Sequence, residues 1–244
     1  MKSKILYDLH THTTYSHGLG SILDNVKAAH EIGLEKIGIA DHGPGHLSYG
    51  IKLSDVEQMR ADIKVAEEMY PDVKVLLGVE ANICNKDGSL DVSKDDQKLF
   101  DFVIAGYHYG YLGNNKLYGA GICASSWIAS HKGPISIYQI ERNTDLVIKA
   151  MYENDIMVLT HPGDKMRVDI KRIAQAAEKT GTLLEINNHH GHMNLDEIVT
   201  ASFYDVKFIL SSDAHKPENV GRVDGAYANA LNAEIENTRI VNLR

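Results

Sequence analysis

Two hydrophobic patterns alternate along this sequence. Seven short runs are almost continuously apolar, and the longer segments between them carry apolar residues at helical spacing, as Ile22, Val26, Ala29 and Ile32 do in the first. Continuous apolar runs of this length are typical of parallel strands that are buried on both faces. The predicted strands are residues 5–9, 36–40, 73–79, 102–105, 156–159, 182–186 and 206–210.

Six of the intervening segments are predicted to be helices. The first is the best delimited, because Ser21 is a suitable N-cap and Gly33 a suitable stop. The predicted helical segments are residues 21–33, 54–69, 138–153, 169–179, 195–202 and 225–233. Residues 109–133 are instead rich in glycine and tyrosine, so we predict a loop there that is long enough to act as a lid.

The order of these elements predicts an α/β fold. Seven strand–helix units follow one another without a linker or a change in composition, which favours one domain over residues 1–244. The parallel strands of such a chain are expected to close, or nearly close, into a TIM-like barrel. A doubly wound open sheet is the alternative that the pattern leaves open.

The composition limits the partners that the protein can have. A formal net charge of −8 and a pI near 5.9 argue against stable binding to nucleic acids or to anionic membranes. Cys84 and Cys123 are too few for a disulfide framework, and no apolar signal segment or membrane-length run is evident. We therefore expect a cytoplasmic protein with reduced thiols and leave its oligomeric state open.

Histidines are abundant in the chain and gather where the predicted strands end. There are 13 of them in 244 residues. The polar residues at the strand ends are His10, His12, His42, Glu80, His108, His161, Asn187, Asn188, His189, His190, Asp213 and His215. In a parallel barrel all strand ends of this polarity meet at one mouth, where barrel enzymes have their active sites. The pattern therefore predicts a metal site at that mouth.

The types of side chain indicate which metal ions the site would hold. Imidazole and carboxylate ligands without cysteine suit Zn²⁺, Mn²⁺ or Fe²⁺. The candidates are too numerous for one ion, so we expect two or three ions, with Glu80 as the natural bridging carboxylate. Such a centre can generate hydroxide at neutral pH and polarise a phosphoryl oxygen, which favours hydrolysis.

Six motifs, in this order along the chain, resemble those of the PHP superfamily, named for its polymerase and histidinol phosphatase members. They are D-L-H-T-H at 8–12, I-A-D-H-G-P at 39–44, G-V-E-A-N at 78–82, A-G-Y-H at 105–108, T-H-P-G at 160–163 and S-D-A-H at 212–215. The E-A-N, D-G and E-I-N-N details at 80–82, 87–88 and 185–188 are similar to the YcdX-type stand-alone bacterial phosphatases. The resemblance implies a distorted (βα)7 barrel with three divalent ions, commonly zinc.

The resemblance also implies how the ligands are shared among the ions. The first ion would be held by His10, His12, Glu80 and Asp213, and the second by Glu80, His108 and His161. The third would be held by His17, His42 and His215. Asp41 is expected to orient a ligand histidine rather than to bind an ion itself.

The implied mechanism is hydrolysis of a small phosphate monoester by a metal-bound hydroxide at this trinuclear site. Glu80 and Asp213 are the catalytic carboxylates in this interpretation. A phosphate group also needs positive side chains, and Arg167, whose planar fork matches phosphate oxygens, is the predicted clamp, with Lys165 nearby. Any of His189, His190 and His192 is a candidate for contact with the substrate or with metal-bound water.

Three other functions remain as alternatives. Histidinol phosphate is a specific substrate that would keep the same chemistry. An amidohydrolase-like metal hydrolase would share the His-x-His opening, but it would place a bridging lysine at the end of the fourth strand, where this chain has Gly106-Tyr-His108. A non-catalytic metal-binding accessory module is the third alternative, against which the intact ligand set argues.

Overall fold

The computed structural model describes residues 5–132 and 136–243, and for residues 129–132 it describes the backbone alone. Strands and helices alternate over most of this length. In chain order they are β1 (Tyr7–Thr11), α1 (Ile22–Ile32), β2 (Lys36–Ile39), α2 (Val56–Met69), β3 (Lys74–Asn82), β4 (Phe102–Gly106), α3 (Lys116–Lys132), α4 (Ile137–Glu153), β5 (Val158–Leu159), α5 (Ile170–Thr180), β6 (Leu183–Asn187), α6 (Leu195–Ser202), β7 (Phe208–Ser211) and α7 (Asp224–Asn232).

The seven strands form one parallel sheet whose spatial order is the order of the sequence. The first and last strands meet as well, because the backbone N–H of His12 donates to the carbonyl of Ala214 at 2.8 Å and Thr11 is bridged to Ala214. The sheet is therefore a nearly closed barrel. This confirms the predicted TIM-like α/β fold and excludes the open doubly wound sheet.

Local signals start and stop the helices as expected. Ser21 accepts a hydrogen bond from the backbone N–H of Asp24, and α1 ends where Gly33 adopts a left-handed φ of 77°. Helix α5 repeats this arrangement, with Asp169 as its N-cap and Gly181 at a φ of 75°. These caps determine where the chain turns back toward the next strand.

The interior of the barrel is filled around the ring of Phe102. That ring lies so close to Gly38 and Gly78 that a Cβ on either glycine would collide with it. Phe102 and Ile104 form a small inner cluster with Leu9, Ala40, Val158 and Ile209. Neighbouring residues of β4 instead pack outward against the helices. The bottom of the barrel is thus a packed apolar core, and the buried histidines gather at the mouth.

The predicted loop over residues 109–133 was wrong for most of its length, because α3 occupies Lys116–Lys132. Two glycines concealed the helix, since each lowers helix propensity by about 1 kcal/mol. Gly119 has a packing reason, because a Cβ there would collide with the backbone of Leu112. Apolar residues also lie on every side of α3, so the segment lacks the usual amphipathic stripe.

The cysteines and the helices agree with the limits that composition suggested. Cys84 and Cys123 are both free, and Cys84 is buried. None of the helices in residues 5–132 and 136–243 has the length and apolar character that crossing a membrane requires.

Candidate metal centre

The strand ends bring the nine predicted ligands together at the mouth of the barrel. All of them are buried except His17 and His215, which are partly buried. Ligand atoms of these nine residues and of His190 form compact groups in which every pair lies within 4.8 Å. The groups are His10, His12 and Asp213; His12, His17, His42 and His215; His42, Glu80 and His108; and His161, His190 and Asp213.

Glu80 occupies the middle of this centre and faces histidines with both oxygens. Its Oε1 lies 3.1 Å from Nε2 of His108 and 3.1 Å from Nε2 of His161. Its Oε2 lies 3.0 Å from Nδ1 of His42. One carboxylate between ligands on two sides is the arrangement that a bridging ligand requires. The two nitrogens of His108 and His161 are themselves 3.2 Å apart, which completes a triangle of ligand atoms.

Asp213 converges with the histidines of β1. Its Oδ1 lies 3.2 Å from Nε2 of His12 and 3.6 Å from Nε2 of His10. Oε1 of Glu80 is 3.3 Å from the same His10 nitrogen. The structure thus brings together the four residues that the sequence assigned to the first ion.

His17 joins the centre from the loop after β1. Its ring centroid lies 4.8 Å from that of His42 and 4.2 Å from that of His215. His12 stacks on His215 at 4.4 Å and on His42 at 4.6 Å, so it belongs to this group as well as to the first. The sequence assigned His12 to the first ion alone, and this double placement was not foreseen.

The donor atoms fit divalent cations. Within the described part of the chain, buried side-chain atoms that make no hydrogen bond concentrate at this mouth. They include Nε2 of His10, both ring nitrogens of His12, Nδ1 of His17, Nδ1 of His42, Oε2 of Glu80 and Oδ1 of Asp213. Unsatisfied buried polar atoms are costly and rare, and lone pairs gathered from imidazoles and carboxylates are what Zn²⁺ or Mn²⁺ binds.

The pKa values of the buried residues at this mouth shift in different directions. Burial raises the pKa values of Glu80 and Asp213, but the surrounding histidines outweigh it and hold both well below their usual range. Burial works against charge on His10 too, yet the carboxylates of Glu185, Asp213 and Glu80 raise its pKa well above the usual value. Burial instead lowers the pKa values of His12 and His108 well below normal. Ionised acids and neutral imidazoles are the forms that bind metal ions, so Glu80, Asp213, His12 and His108 are ready to bind, whereas His10 would release a proton when an ion binds.

Glu185 is a buried site residue that the motif analysis did not single out as functional. Its Oε1 lies 2.7 Å from Nδ1 of His10, and its Oε2 accepts the backbone N–H of His161 at 2.7 Å. A carboxylate on the far nitrogen of a metal-binding histidine fixes the tautomer and the ring orientation. The available signal was an acid inside the apolar run of β6, where a charge needs a partner.

A second support holds His108 through two polar side chains. Nδ1 of His108 lies 2.9 Å from Oδ1 of Asn82. The backbone N–H and the Nδ2 of Asn82 both donate hydrogen bonds to the carboxylate of Asp91, at 2.7 and 2.6 Å. Asp91 also accepts the N–H of Gly45, which ties the loop after β2 to this network. Burial raises the pKa of Asp91 to about 6.

Asp41 differs from its predicted role. Its carboxylate accepts hydrogen bonds from the N–H and hydroxyl of Thr13, at 2.7 and 2.6 Å, and from the hydroxyl of Ser16 at 2.5 Å. It therefore orients the loop between His12 and His17 rather than a histidine ring. A short acid at the end of β2 can satisfy a neighbouring loop backbone more readily than reach across the mouth.

His46 and Tyr49 cover His17 and His42, which the sequence assigned to the third ion. Their rings stack at 3.7 Å, and Tyr49 also stacks on His17 at 4.2 Å. Nε2 of His46 is 2.7 Å from the carbonyl of Tyr109, and its Nδ1 faces the N–H of Ser48 at 3.3 Å. Both nitrogens of His46 are thus engaged by the backbone, and the residue packs the loop over the metal centre.

The backbone is strained at two of the ligands. His161 has a φ of 29° and Asp213 a φ of 52°, values that non-glycine residues adopt at a cost of order 1–3 kcal/mol. Both residues follow directly after strands, where the chain must turn to aim a side chain into the mouth. Such strain collects at functional sites because the surrounding structure holds it in place.

The positive side chains lie at the rim. Lys165 is half-buried, and its Nζ lies 3.9 Å from Oδ2 of Asp164, the same oxygen that faces His190. Arg167 is exposed, and its carbonyl accepts a hydrogen bond from Nδ2 of Asn143. The predicted clamp by Arg167 therefore stays a prediction, with Lys165 as its nearest competitor.

Fold and site together define a parallel α/β barrel whose mouth gathers histidines and acids that could hold metal ions. The chain matches the family model described as the PHP domain over residues 8–189. This protein belongs to the PHP domain family. The resemblance seen in the sequence motifs is thereby confirmed.

Curated relatives cover nearly the whole chain. A probable phosphatase of Thermoanaerobacter sp. (strain X514) is 31% identical over 254 aligned residues, which cover 98% of this chain and 91% of the relative. A probable phosphatase of Caldanaerobacter subterraneus subsp. tengcongensis is 30% identical, with coverages of 93% and 82%. Because the similarity covers most of this chain and most of each relative, the proteins share a whole architecture rather than a fragment.

The fold is also similar to that of a solved structure. It is a histidinol phosphate phosphatase from Lactococcus lactis subsp. lactis Il1403, complexed with zinc, L-histidinol and phosphate. The TM-score is 0.55 and the sequence identity 16%, with 94% of each chain covered. At this identity the likeness supports the barrel fold alone.

Proposed function

We propose that this protein hydrolyses small phosphate monoesters at a centre of three divalent metal ions. The coarser statement, a metal-dependent phosphoric ester hydrolase of the PHP family, is supported by the family match and by the phosphatase relatives. The observation that carries the finer proposal is Glu80, whose two oxygens face His42 on one side and His108 with His161 on the other.

The contacts between ligand atoms support three ion positions. His10, His12, Glu80 and Asp213 would hold the first ion, while Glu80, His108 and His161 would hold the second. His42 also lies with Glu80 and His108 in one of the four groups. His17, His42 and His215 would hold the third, with His12 close enough to share. Bound ions of this kind supply Lewis acidity and lower the pKa of water to near neutrality.

Other residues of the chain would orient the ligands and attract the substrate. Glu185 and Asn82 hold the rings of His10 and His108, so the ligand nitrogens point into the mouth without rearrangement. Lys165 and Arg167 supply positive charge at the rim, where a substrate phosphate would enter. Zinc in the Lactococcus relative makes zinc the first ion to test, with Mn²⁺ and Fe²⁺ as the others.

The alternatives predict different centres. An amidohydrolase-like enzyme would need a bridging lysine at the end of β4, but that strand ends at Gly106 and Glu80 lies between the histidines instead. A non-catalytic module would not need to retain so many buried and unsatisfied ligand atoms. Histidinol phosphate is the second substrate to test, because the Lactococcus relative contains L-histidinol and phosphate.

The proposal is tested by turnover of p-nitrophenyl phosphate followed by a panel of sugar phosphates, nucleotides and histidinol phosphate. Activity should vanish after chelation and return with Zn²⁺ or Mn²⁺. Glu80→Gln should be inactive while keeping its fold, with Glu68→Gln on the exposed face of α2 as the control. Full activity in a metal-free sample would sink the proposal.

A further inference from the structure

His190 lies between two carboxylates at the mouth. Its Nδ1 is 3.2 Å from Oδ2 of Asp164, and its Nε2 is 3.3 Å from Oδ2 of Asp213. The backbone N–H of His190 donates to Oδ1 of Asn187 at 2.8 Å, which fixes the turn after β6. The ring is therefore held from its backbone and faces an acid on each nitrogen.

Asp213 divides its two oxygens between different neighbours. Oδ1 faces His12 and His10 and makes no hydrogen bond within the described residues. Oδ2 accepts Nδ2 of Asn187 at 3.1 Å and faces His190. Since a carboxylate can bind two ions through its two oxygens, the side of Asp213 that faces His190 offers a further place for a ligand.

His161 closes the same group from the neighbouring strand. Its ring centroid lies 5.0 Å from that of His190, in an edge-on arrangement. Ligand atoms of His161, His190 and Asp213 all lie within 4.8 Å of one another. Two of these three residues are already assigned to ions, whereas nothing in the motifs assigns His190.

We propose that His190 is an additional metal ligand, which binds through Nε2 beside His161 and Asp213 and is oriented by Asp164. Oδ2 of Asp213 already accepts a hydrogen bond from Asn187, whereas Oδ2 of Asp164 makes none. A proton on Nδ1 would satisfy Asp164 and leave the lone pair of Nε2 free for a cation. The proposal rests on the proposed metal centre, and it adds a ligand at the junction of the first and second ion positions.

The adjacent histidine provides a matched control. His189 is more exposed than His190, and its ring lies 5.2 Å from that of His215 in a tilted arrangement. It has no ion pair among those that the structure describes. His190→Ala should raise the dissociation constant of one ion more than about tenfold, while His189→Ala should leave it within about twofold. Asp164→Asn should raise the same constant by about tenfold, because it loosens the ring without removing it.

The readout is metal bound per chain, measured by plasma mass spectrometry during competition with a chelator. Thermal melting of the metal-free variants shows whether His190→Ala still folds. If it does not, a zinc-loaded crystal structure of the wild-type protein decides instead. That structure should place Nε2 of His190 about 2.0–2.1 Å from zinc.

Equal metal affinity in His190→Ala and His189→Ala, or a zinc ion beyond bonding distance of His190, would overturn this assignment. The proposed function fails in a different experiment, which is the absence of metal-dependent phosphatase activity in the wild-type protein. If the wild-type protein is a metal-dependent phosphatase and His190→Ala still binds every ion, the proposed function stands and only the assignment of His190 as a ligand fails.

Discussion

Oε1 of Glu185 lies 2.7 Å from Nδ1 of His10, and both side chains are almost completely buried. The other oxygen of Glu185 holds the backbone of His161, so one acid on β6 positions ligands of both the first and the second proposed ions. We expect Glu185→Gln to weaken metal binding by about 10–100-fold, because the amide cannot serve both contacts as an acceptor. Chelator competition measures this loss, and Glu178→Gln on α5 is the control. Unchanged affinity would contradict a positioning role.

His12 and His17 should differ in the number of ions they hold. His12 belongs to two ligand groups, whereas His17 belongs to one. His12→Ala should therefore lose about two ions per chain and His17→Ala about one, with both barrels still folded. Plasma mass spectrometry of the purified variants gives the ion count, and circular dichroism checks the fold. If both variants lost the same number of ions, His12 would not serve two ions as proposed.

The interior of the barrel predicts a large cost for one added methyl group. Gly78→Ala would drive a Cβ into the ring of Phe102, so it should lower the free energy of unfolding by about 1–3 kcal/mol. Gly121→Ala on α3 is the matched control, because no atom lies within 4 Å of its Cβ and alanine favours the helix by up to about 1 kcal/mol. Urea denaturation of both variants should show opposite signs. A destabilised Gly121→Ala would argue against this packing account.

Asp91 should make stability depend on pH in the mildly acidic range. Burial raises its folded pKa to about 6, above the ordinary value of 3.8, so the folded state binds the proton more tightly. The stabilisation from the neutral form is complete below pH 3.8 and is lost as the pH rises through 6. Between pH 4 and 7, wild type should therefore lose up to about 3 kcal/mol relative to Asp91→Asn. Parallel urea titrations at several pH values measure the difference, and a constant difference would contradict the raised pKa.

The phosphate clamp can be assigned by kinetics. Arg167 is the sequence-based candidate, and a bidentate guanidinium contact predicts that Arg167→Ala raises KM about tenfold or more. Lys165→Ala is the comparison, because Lys165 is half-buried at the same rim while Arg167 is exposed. Steady-state kinetics with p-nitrophenyl phosphate distinguishes the two. A rise in KM for Lys165→Ala alone would transfer the clamp to that residue.

Much of the fold was predictable because the signals were local. Near-continuous apolar runs predicted all seven strands, and the polar residues after them predicted where the mouth lies. Helix α3 was missed because Gly119 and Gly121 are residues typical of loops. The contact with Leu112 that explains Gly119 is not visible in the sequence. Tertiary packing thus overrides local propensity in that segment.

The residues around the ligands were harder to predict than the ligands themselves. His10 and Glu185 are 175 positions apart, and Asp91 reaches His108 only through Asn82. Such partners depend on the register between strands and on a loop that folds back, neither of which has a periodic signal. Asp41 shows the same limit, because its position was predicted and its partners were not.

Hydrolysis of phosphate monoesters at a centre of three ions can be tested by one zinc titration. Zinc is added to the metal-free protein while phosphate release and bound zinc are measured in the same samples. We expect almost no activity without metal and a plateau near three ions per chain. Full activity before any zinc is bound, or a plateau at one ion, would contradict it.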